Sequence, residues 1–408
     1  MVNLKDWQEI NIGSDTTLKA RIGWQGLTTG EYKDSGEYYL VTGTDFENGL
    51  VNWDTCHFVN KWRFDQDKNI QLKVNDVLIT KDGTIGKAGF IDTIKLPTTL
   101  NSGVFVIRTN SNKLDQKYLY YIFTSEIFVE FLNRLTAGST INHLYQKDFI
   151  HFTFKAPNIE EQKAIAKALS DTDELITTLE KLISKKEAIK QGTMQQLLTG
   201  KKRLSGFSDE WEEKGLGEIA IFRRGSFPQP YGLSKWYDES NGLPFIQVYD
   251  VDKNMKLKND TKQHISDIAK KLSVFVKKGT VILTIQGSIG RIAITQYDAY
   301  IDRTLLIFTD FLVQMDKIFF SYVVQELFRI EKEKAAGGTI KTITKEELSS
   351  FSVMIPRFLE QQAIAQILSD MDNEIEILKS KLSKTKAIKD GIISELLTGK
   401  TRLKVKDE

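Results

Sequence analysis

The sequence predicts an α+β fold in which two β-rich mixed domains are separated and followed by long helices. Three observations support this prediction. A segment in the middle of the chain is repeated at its end, both copies have the hydrophobic period of a coiled coil, and short β-branched and aromatic runs precede each copy. We expect the two helices to pair as an antiparallel coiled coil, which would give a pseudo-two-fold, near-circular molecule.

The composition is that of a folded protein with more than one domain. At 408 residues the chain exceeds the size of a single compact core. Its net charge of +2 is not that of a strongly basic DNA-binding protein, so any DNA contact would depend on local charge clusters or on partners. No apolar stretch approaches the ~20 residues of a membrane span. The single cysteine, Cys56, excludes an internal disulfide, and the N-terminus has no secretory-signal pattern, so we expect a cytoplasmic protein.

The duplicated segment comprises residues 161–204 and 360–403. Aligned without a gap, the two copies share 24 identities in 44 positions. The segments before them align more loosely, with GTIG matching GSIG and AGSTI matching AGGTI. Because the copies diverged little and the preceding segments diverged greatly, we expect one shared role for the helices and different roles for the domains. The predicted boundaries are a first domain at 1–157, a central helix region at 158–204, a second domain at 205–356 and a C-terminal helix region at 357–408.

Each copy predicts one long helix with an apolar seam. Asn158 and Glu161 have the spacing of a capping box, and Gly200 and Gly399 stand where a C-cap glycine belongs. Each helix would then have about 40 residues and a length of ~60 Å. The seam residues alternate in steps of 4 and 3, and they are Ile165, Leu169, Thr172, Ile176, Leu179 and Ile183 in the first copy and Ile364, Leu368, Met371, Ile375, Leu378 and Leu382 in the second.

The two domains are expected to be built mainly from short strands. The runs YYLVTG, DVLIT and VFVIR in the first domain, and PFIQVYDV, GTVILTI and LLIF in the second, are rich in β-branched and aromatic residues. Helical patterns follow these runs at residues 115–133 and 316–334. The loops between strands carry most of the Gly, Ser, Thr, Lys and Arg residues.

The sequence shows no motif of a catalytic centre. DGTIGK at 82–87 differs from a phosphate-binding loop because only two residues separate Gly83 from Gly86 and Ala88 follows the lysine. The four histidines are scattered and lack metal-ligand spacing. No two prolines are adjacent, which excludes the Pro-Pro-aromatic turn of amino-methylating enzymes. We therefore predict a non-catalytic chain that binds neither a metal nor a cofactor.

The combined pattern resembles the specificity subunit of a type I restriction–modification system. The resemblance covers essentially the whole chain. It rests on the paired helices EEQKAIA…LLTG and LEQQAIA…LLTG, on the GTIG and GSIG turns, and on AGSTI and AGGTI near the domain ends. Each short motif is weak alone, but their order and spacing occur twice.

The resemblance implies that each domain is a target-recognition domain for one half of a bipartite sequence in double-stranded DNA. The helices would set the gap between the halves and dock two methyltransferase subunits, which bind S-adenosylmethionine and methylate adenine. Two motor-nuclease subunits can join such a core. Since the domains differ, the target should be asymmetric. Two alternatives remain open: a non-catalytic coiled-coil scaffold that binds proteins, and a self-sufficient enzyme with an unrecognised centre.

Residues that contact DNA bases are expected in the loops, where Arg can pair with guanine and Asn or Gln with adenine. An ordinary solvated loop residue is the alternative for each candidate, and a core aromatic is the alternative for Trp24. The basic segments KKR at 201–203 and KTRLKVK at 400–406 could contact phosphates or complement helix C-termini. The candidates are Arg21, Trp24, Gln25, Thr28, Thr29, Tyr32, Lys33, Lys81, Thr84, Lys87, Ser139, Thr140, Asn142 and His143 in the first domain, and Arg223, Arg224, Ser226, Gln229, Tyr231, Lys235, Gln286, Ser288, Arg291, Thr339 and Lys341 in the second.

Overall fold

A computed structural model describes residues 6–135, 143–334 and 343–403. The chain divides into two compact units. Unit 1 comprises Met1–Glu180 and Ser380–Glu408, and unit 2 comprises Lys181–Lys379. Each unit contains one sheet-rich domain and a part of each long helix, so the unit boundaries fall inside the helices. The predicted α+β class, with two sheet-rich domains and two long helices, is confirmed.

The domain of unit 1 contains three sheets. Their strand orders are β1-β11, β2-β10-β7-β8-β5-β4 and β6-β3-β9. The strands are β1 (Gln8–Asn11), β2 (Thr16–Ala20), β3 (Tyr39–Val41), β4 (Phe46–Glu47), β5 (Leu50–Val51), β6 (His57–Phe58), β7 (Val77–Thr80), β8 (Ala88–Phe90), β9 (Thr98–Leu100), β10 (Val104–Thr109) and β11 (Thr153–Ala156). The helices of this domain are α1 (Ile12–Asp15), α2 (Lys61–Asp65), α3 (Gln116–Phe123), α4 (Glu126–Leu135) and α5 (Gln146–Phe149), and α6 (Ile159–Leu197) follows them.

The domain of unit 2 repeats this plan. Its sheets have the orders β12-β21, β13-β20-β17-β18 and β15-β14-β19-β16. The strands are β12 (Glu212–Gly215), β13 (Ala220–Arg224), β14 (Leu243–Ile246), β15 (Gln263–Ile265), β16 (Val274–Val276), β17 (Val281–Thr284), β18 (Ile292–Ile294), β19 (Ala299–Ile301), β20 (Leu305–Phe311) and β21 (Ser352–Ile355). The helices are α7 (Leu216–Ile219), α8 (Asp267–Lys270), α9 (Lys317–Lys334) and α10 (Lys345–Ser350), and α11 (Phe358–Leu396) follows them.

The long helices α6 and α11 have 39 residues each. The predicted N-cap of α6 is confirmed, since the backbone N–H of Glu161 donates to Oδ1 of Asn158 at 2.9 Å. Gly200 and Gly399 adopt φ values of 69° and 72°, the left-handed conformation that a C-cap requires. None of the described helices combines the length and the apolar content needed to cross a bilayer.

The seam residues at the start of each helix pack against the adjacent domain as well as against the other helix. In unit 1, Ile165 and Leu169 are fully buried in the domain core together with Leu396 and Leu397 of α11. This dual packing differs from a simple coiled-coil seam, in which a helix contacts only its partner. In unit 2, Ile364 and Leu368 are equally buried, in a cluster with Leu197 and Leu198 of α6 and Phe319 and Tyr322 of α9. Further along, Leu179, Ile183 and Ile375 are buried, and Thr172, Ile176, Met371, Leu378 and Leu382 are half-buried.

A buried carboxylate at the start of each long helix is neutralised by an arginine from the end of the other. In unit 1, Arg402 donates from Nε to Glu161 Oε1 at 2.8 Å and from Nη2 to Oε2 at 2.7 Å. In unit 2, Arg203 makes the same two bonds to Glu360, at 2.8 Å and 2.7 Å. We call these two pairs the arginine clamps. Both arginines from the predicted basic segments therefore bind a carboxylate within the protein.

A second repeated contact sets the direction of the helix pairing. In unit 1, Asp173 of α6 accepts from the Tyr121 hydroxyl at 2.9 Å and from Lys389 of α11 at 2.7 Å. In unit 2, Asp372 of α11 accepts from the Tyr322 hydroxyl at 2.6 Å and from Lys190 of α6 at 2.5 Å. In unit 1, Asp173 comes after Glu161 along α6, whereas its partner Lys389 comes before Arg402 in the sequence. The same reversal of order occurs in unit 2. The helix segments therefore pair antiparallel, as predicted.

A buried glutamine next to each clamp attaches the helix start to the domain. In unit 1, Gln162 accepts from the backbone N–H of Asp115 at 2.9 Å and donates to the carbonyl of Pro157 at 2.8 Å. In unit 2, Gln361 accepts from Asp316 N at 2.9 Å and donates to the Pro356 carbonyl, also at 2.9 Å. The repeated Glu-Gln dipeptide thus has a structural explanation in both copies.

We predict that Arg402→Ala destabilises unit 1 by about 3–5 kcal/mol, because it leaves the carboxylate of Glu161, whose side chain is 3% exposed, buried without its cation. Urea unfolding followed by circular dichroism measures the change. The matched control is Lys167→Ala, which removes an exposed pair with Asp171 and should cost less than about 0.5 kcal/mol. Equal stability of the two variants would contradict this account of the clamp.

Candidate nucleic-acid interface

Each domain has a pair of parallel strands whose carboxyl ends lie side by side. In unit 1, β3 pairs parallel with β9, and the backbone N–H of Asn101 donates to the carbonyl of Val41 at 2.9 Å. In unit 2, β14 pairs parallel with β19, and Asp302 N donates to the Ile246 carbonyl at 3.0 Å. The loops that follow these strands therefore meet at one edge of the sheet, a position that commonly forms binding sites in parallel sheets.

The GTIG and GSIG turns lie at the same edges. Lys81 N donates to the carbonyl of Gly103 at 2.9 Å in unit 1, and Ile285 N donates to that of Thr304 at 2.9 Å in unit 2. We call the resulting groups of loops the loop edges. The loop edge of unit 1 comprises residues 42–45, 81–86 and 101–103, and that of unit 2 comprises residues 247–250, 285–290 and 302–304.

The two turns are held by the same internal hydrogen bonds. In unit 2, Thr284 Oγ1 accepts from Arg291 N at 2.9 Å and donates to the carbonyl of Ser288 at 2.6 Å. In unit 1, Thr80 Oγ1 accepts from Lys87 N at 2.9 Å and donates to the carbonyl of Thr84. The hydroxyl before each turn thus satisfies backbone groups that would otherwise be unpaired.

The last glycine of each turn is required by its backbone and by the adjacent helix. Gly86 and Gly290 have φ values of 79° and 81°. An added Cβ would lie 2.3 Å from Leu132 Cδ1 at Gly86 and 2.6 Å from the Phe328 ring at Gly290. These glycines are therefore explained by packing, without reference to a ligand.

A buried aspartate supports the neighbouring loop in each unit. Asp45 Oδ2 accepts from Thr42 N at 2.7 Å, and Asp250 Oδ2 accepts from Gln247 N at 2.9 Å. Both carboxylates are buried, and burial raises the pKa of Asp250. The two loop edges therefore share their backbone supports although most of their exposed side chains differ.

Arg21 requires a correction, because the structure buries it within unit 1. Its side chain is 1% exposed, and its Nε donates to the Leu100 carbonyl at 2.8 Å. Its remaining donors contact Thr99 Oγ1 at 3.1 Å and Gln66 Oε1 at 3.2 Å. Burial lowers the pKa of Arg21. This arginine therefore stabilises the ends of the strands and is not available to a base edge.

The other candidates in the RIGWQGLTTGEYK segment differ in exposure. Gln25 is 7% exposed, so it too is a buried residue and not an accessible loop donor. The side chain of Trp24 lies outside the described structure. Thr28, Thr29 and Lys33 are exposed, and Lys33 donates to Asn60 Oδ1 at 2.6 Å. The half-buried hydroxyl of Tyr32 accepts from the Asn101 side chain at the loop edge.

Four further candidates of unit 1 lie in or beside its loop edge. Lys81 is half-buried with its ammonium 5.2 Å from the centre of the Phe105 ring, and burial lowers its pKa. Thr84 is exposed in the turn. Lys87 donates to the Phe46 carbonyl at 2.7 Å, which gives it a structural role. His143 contacts the carboxylate of Asp82.

Two candidates of unit 2, Arg223 and Arg224, lie exposed on β13 beside its loop edge. Arg224 pairs with Leu306 in the strand register, next to the 302–304 loop. Neither arginine side chain has a hydrogen bond or an ion pair within the described part of the chain. Their guanidinium groups are therefore not occupied by contacts within the described residues.

The remaining candidates of unit 2 differ in their contacts and in their exposure. Ser226 donates to the Leu272 carbonyl at 3.0 Å, and the Tyr231 hydroxyl donates to Asp302. Arg291 donates to the Val251 carbonyl at 3.1 Å, as Lys87 does to Phe46 in unit 1. Gln229, Lys235 and Ser288 are exposed and Gln286 is half-buried. Ser139, Thr140, Asn142, Thr339 and Lys341 lie outside the described residues.

Sequence analysis missed three residues of the unit 2 loop edge. Gln247, Tyr249 and Arg303 follow the ends of β14 and β19. Tyr249 is flanked by the ammonium groups of Lys258 and Lys262, at 5.9 Å and 5.3 Å from its ring centre. The composition of the run PFIQVYDV favours a strand, but the strand ends at Ile246. A cap-like Gln-x-x-Asp spacing at its end was the available signal.

The described residues include no group of three or more His, Cys, Asp or Glu side chains arranged to hold a metal ion. The loop edges instead present hydroxyl, amide, aromatic and guanidinium groups. These groups are suited to hydrogen bonding and stacking with nucleic-acid bases and phosphates.

Comparison with known proteins gives a consistent result. The sequence model of the family described as "Type I restriction modification DNA specificity domain" matches residues 5–191 and 208–387. The type I restriction enzyme MjaVIII specificity subunit of Methanocaldococcus jannaschii is 27% identical over 98% of this chain and 94% of its own length. The EcoBI specificity subunit of Escherichia coli is 21% identical over 74% of this chain and 69% of its own length.

Solved structures show the same fold. The crystal structure of the S subunit of a type I restriction–modification system from M. genitalium superposes with a TM-score of 0.61. The match covers 97% of this chain and 96% of that one, at 19% sequence identity. At this identity the likeness establishes the fold alone.

We predict that Gly290→Ala destabilises unit 2 by about 2–5 kcal/mol, because the new methyl group meets the Phe328 ring and the left-handed backbone conformation disfavours alanine. Thermal unfolding measures the change. Gly287→Ala is the matched control, since it has a φ of 67° but its nearest neighbour would be Val248 at 3.6 Å. The control should lose only about 1–2 kcal/mol. A smaller effect at Gly290 than at Gly287 would contradict the packing argument.

Proposed function

Because this chain belongs to the type I restriction modification DNA specificity family, we propose that it is the DNA sequence-recognition subunit of a type I restriction–modification complex. Family membership confirms the recognition made from the sequence. In this proposal each domain recognises one half of a bipartite, asymmetric target. The reaction itself belongs to partner subunits, and this chain supplies the sequence specificity.

The observation that carries the proposal is the pair of loop edges. Both are built on parallel strand ends, on a hydroxyl-supported turn and on a buried aspartate, so their backbone supports are equivalent. Their exposed side chains are largely unlike. Two domains that recognise different DNA sequences are expected to share a backbone scaffold and to differ in the side chains at their surface. It also explains why the domains diverged more than the helices.

The partners of the complex follow from the same proposal. The helices hold the two domains at a set separation, which determines the gap between the half-sites, and they dock two methyltransferase subunits. Those subunits bind S-adenosylmethionine and methylate adenine, and two motor-nuclease subunits complete a restriction complex. We propose that this chain acts in the cytoplasm, where such a complex would meet DNA.

Each long helix carries an exposed isoleucine beside an unobstructed glycine, which supports docking at these positions. Ile388 is 59% exposed, and Gly391 lies one turn further along α11 on the same face. Ile189 is 44% exposed and has the same relation to Gly192 on α6. A Cβ added at either glycine would meet no atom within 4 Å. An interior glycine costs about 1 kcal/mol relative to alanine, and close approach by a partner would explain that cost in both copies.

The alternative is a coiled-coil scaffold whose domains bind proteins. It is the weaker proposal because it gives no reason for the unpaired arginines beside the loop edge of unit 2. The two proposals differ in what they predict for DNA.

We predict that the double variant Arg223→Ala/Arg224→Ala weakens binding to duplex DNA. Each arginine that contacts a phosphate contributes about 0.9 to the slope of log K against log salt, so the slope should fall by about 1–2. Fluorescence anisotropy with a random-sequence duplex at several salt concentrations measures both quantities. The scaffold alternative predicts no difference from the wild-type chain.

The matched control for this experiment is Lys277→Ala/Lys278→Ala. These lysines are exposed and precede β17, whereas the loop edge follows the end of that strand. The control removes the same charge from the same unit at the opposite end of the strand. Equal losses in both double variants would mean that general charge, and not the loop edge, attracts DNA.

We predict that Gly391→Leu weakens methyltransferase capture by at least about tenfold, since the added side chain projects from the proposed docking face. The chain's own fold should tolerate it, because among the described residues, apart from the adjacent backbone of α11 itself, no atom lies within 4 Å of the added Cβ. Pull-down of the co-expressed methyltransferase and DNA-binding assays on the same sample measure both functions. The control is Asp390→Leu, at an exposed position of α11 that points away from the Ile-Gly face. Unchanged capture by Gly391→Leu would exclude this face as the docking site.

A further inference from the structure

We infer that Arg303 and Gln247 of the unit 2 loop edge determine specificity, with Arg303 recognising a guanine and Gln247 an adenine of the half-site that this domain binds. The inference rests on the proposed function and deepens it. It identifies which side chains of one reader contact bases, and it concerns residues that sequence analysis did not select.

Arg303 is exposed, and an aromatic contact restricts its side chain while its guanidinium makes no hydrogen bond within the described residues. Its Cζ lies 4.9 Å from the ring centre of Tyr231. Tyr231 is in turn held by its hydrogen bond to Asp302 and by stacking on Phe227, with ring centres 5.1 Å apart. No acceptor for the Arg303 guanidinium occurs in residues 6–135, 143–334 or 343–403.

An arginine held in this way suits the major-groove edge of guanine. Guanine presents two acceptors, O6 and N7, and a guanidinium can donate to both at once. Stacking on an aromatic ring restricts the side chain before DNA arrives, so less conformational freedom is lost on binding. The five donors of Arg303 remain available for this contact.

Gln247 is positioned by a neighbouring hydroxyl. The Tyr249 hydroxyl donates to Oε1 of Gln247, which fixes the orientation of the amide. Burial, with Asp250 nearby, raises the pKa of Tyr249 to about 12, so the hydroxyl remains a donor at neutral pH. The Gln247 Nε2 group has no acceptor within the described residues.

An amide held in this way suits adenine. The free Nε2 donors can bond to N7, and the second lone pair of Oε1 can accept from the N6 amino group. The next residue of this loop lies beside the GSIG turn, since a Cβ added at Gly287 would lie 3.6 Å from Val248 Cγ2.

The equivalent positions of unit 1 carry short side chains. Asn101 and Asp302 have matching backbone bonds to the parallel strand, so Ser102 corresponds to Arg303. Asp45 and Asp250 have matching caps, so Thr42 corresponds to Gln247. A serine or threonine hydroxyl makes no paired contact of the arginine or glutamine kind. The two units thus differ in these side chains and share the backbone hydrogen bonds around them.

The test is to map methylated adenines in a host that carries the full-length chain with its methyltransferase, using the wild type, Arg303→Ser and Gln247→Thr. Each variant places the residue of unit 1 in unit 2. We expect Arg303→Ser to relax one guanine position, and Gln247→Thr one adenine position, by about 5- to 150-fold in discrimination. Both should lie in the same half of the motif, and the other half should be unchanged.

Three further variants or readouts keep the result interpretable. The unchanged half-site reports that the chain is folded and assembled. Arg303→Lys keeps a cation beside Tyr231, but an ammonium group cannot donate the pair of parallel hydrogen bonds that a guanidinium makes to guanine. This variant should therefore relax the same guanine position. Lys278→Ser removes a charge at the opposite end of β17 and should leave the motif unaltered.

The outcomes separate the inference from the function on which it rests. A bipartite wild-type motif that stays unchanged in Arg303→Ser, Arg303→Lys and Gln247→Thr would overturn the inference and leave the proposed function standing. A wild-type motif that is continuous, or the absence of methylation that depends on this chain, would overturn the proposed function itself. Relaxation at the predicted bases in one half only would support both.

Discussion

A buried carboxylate at the start of each long helix, neutralised by an arginine distant in sequence, is the interaction on which each unit depends. In unit 1 the partners Glu161 and Arg402 are 241 positions apart, and in unit 2 Glu360 and Arg203 are 157 apart. A buried charge is tolerated only when it is paired and hydrogen-bonded. Unit 1 therefore cannot complete its helix pairing until the segment that contains Arg402 has been made and has docked. The duplicated segment carries both partners of the clamp, which explains why its two copies changed so little.

The clamps leave the loop edges free to vary. The carboxylate, glutamine and arginine contacts involve the long helices and the segments at their ends, whereas the loop edges follow the carboxyl ends of the parallel strands. Shared residues such as Thr80 and Thr284 preserve the backbone of the turns. Corresponding loop positions such as Ser102 and Arg303 can then differ without loss of the fold. Because the supporting contacts are separate from the loop edges, the same scaffold can carry side chains for two different DNA half-sites.

Much of the architecture could be predicted because it depends on local patterns. The Asn158 cap and the C-cap glycines follow from short-range rules, and the structure bears them out. The candidate site was less predictable. Arg21 is a residue type that can bind bases and lies in a polar segment, so the sequence suggests a loop donor. Its acceptor, the Leu100 carbonyl, is 79 positions away, and no local pattern reveals this contact. Conversely, Gln247 lies in a run with strong β propensity, which predicts a strand at this position. The strand ends before it because the carboxylate of Asp250 accepts a hydrogen bond from the backbone N–H of Gln247.

The presence of both clamp partners on each helix has a consequence for shorter chains. A chain ending soon after Leu204 would still contain Glu161 and Asp173, together with Lys190 and Arg203. Two such molecules could exchange these contacts reciprocally, each supplying the cations for the other's carboxylates. The result would be a homodimer with two identical readers, and an inverted repeat in the DNA is the sequence that such a dimer would match. The asymmetry proposed for the target of this 408-residue chain would then come from its second domain, which differs in sequence from the first.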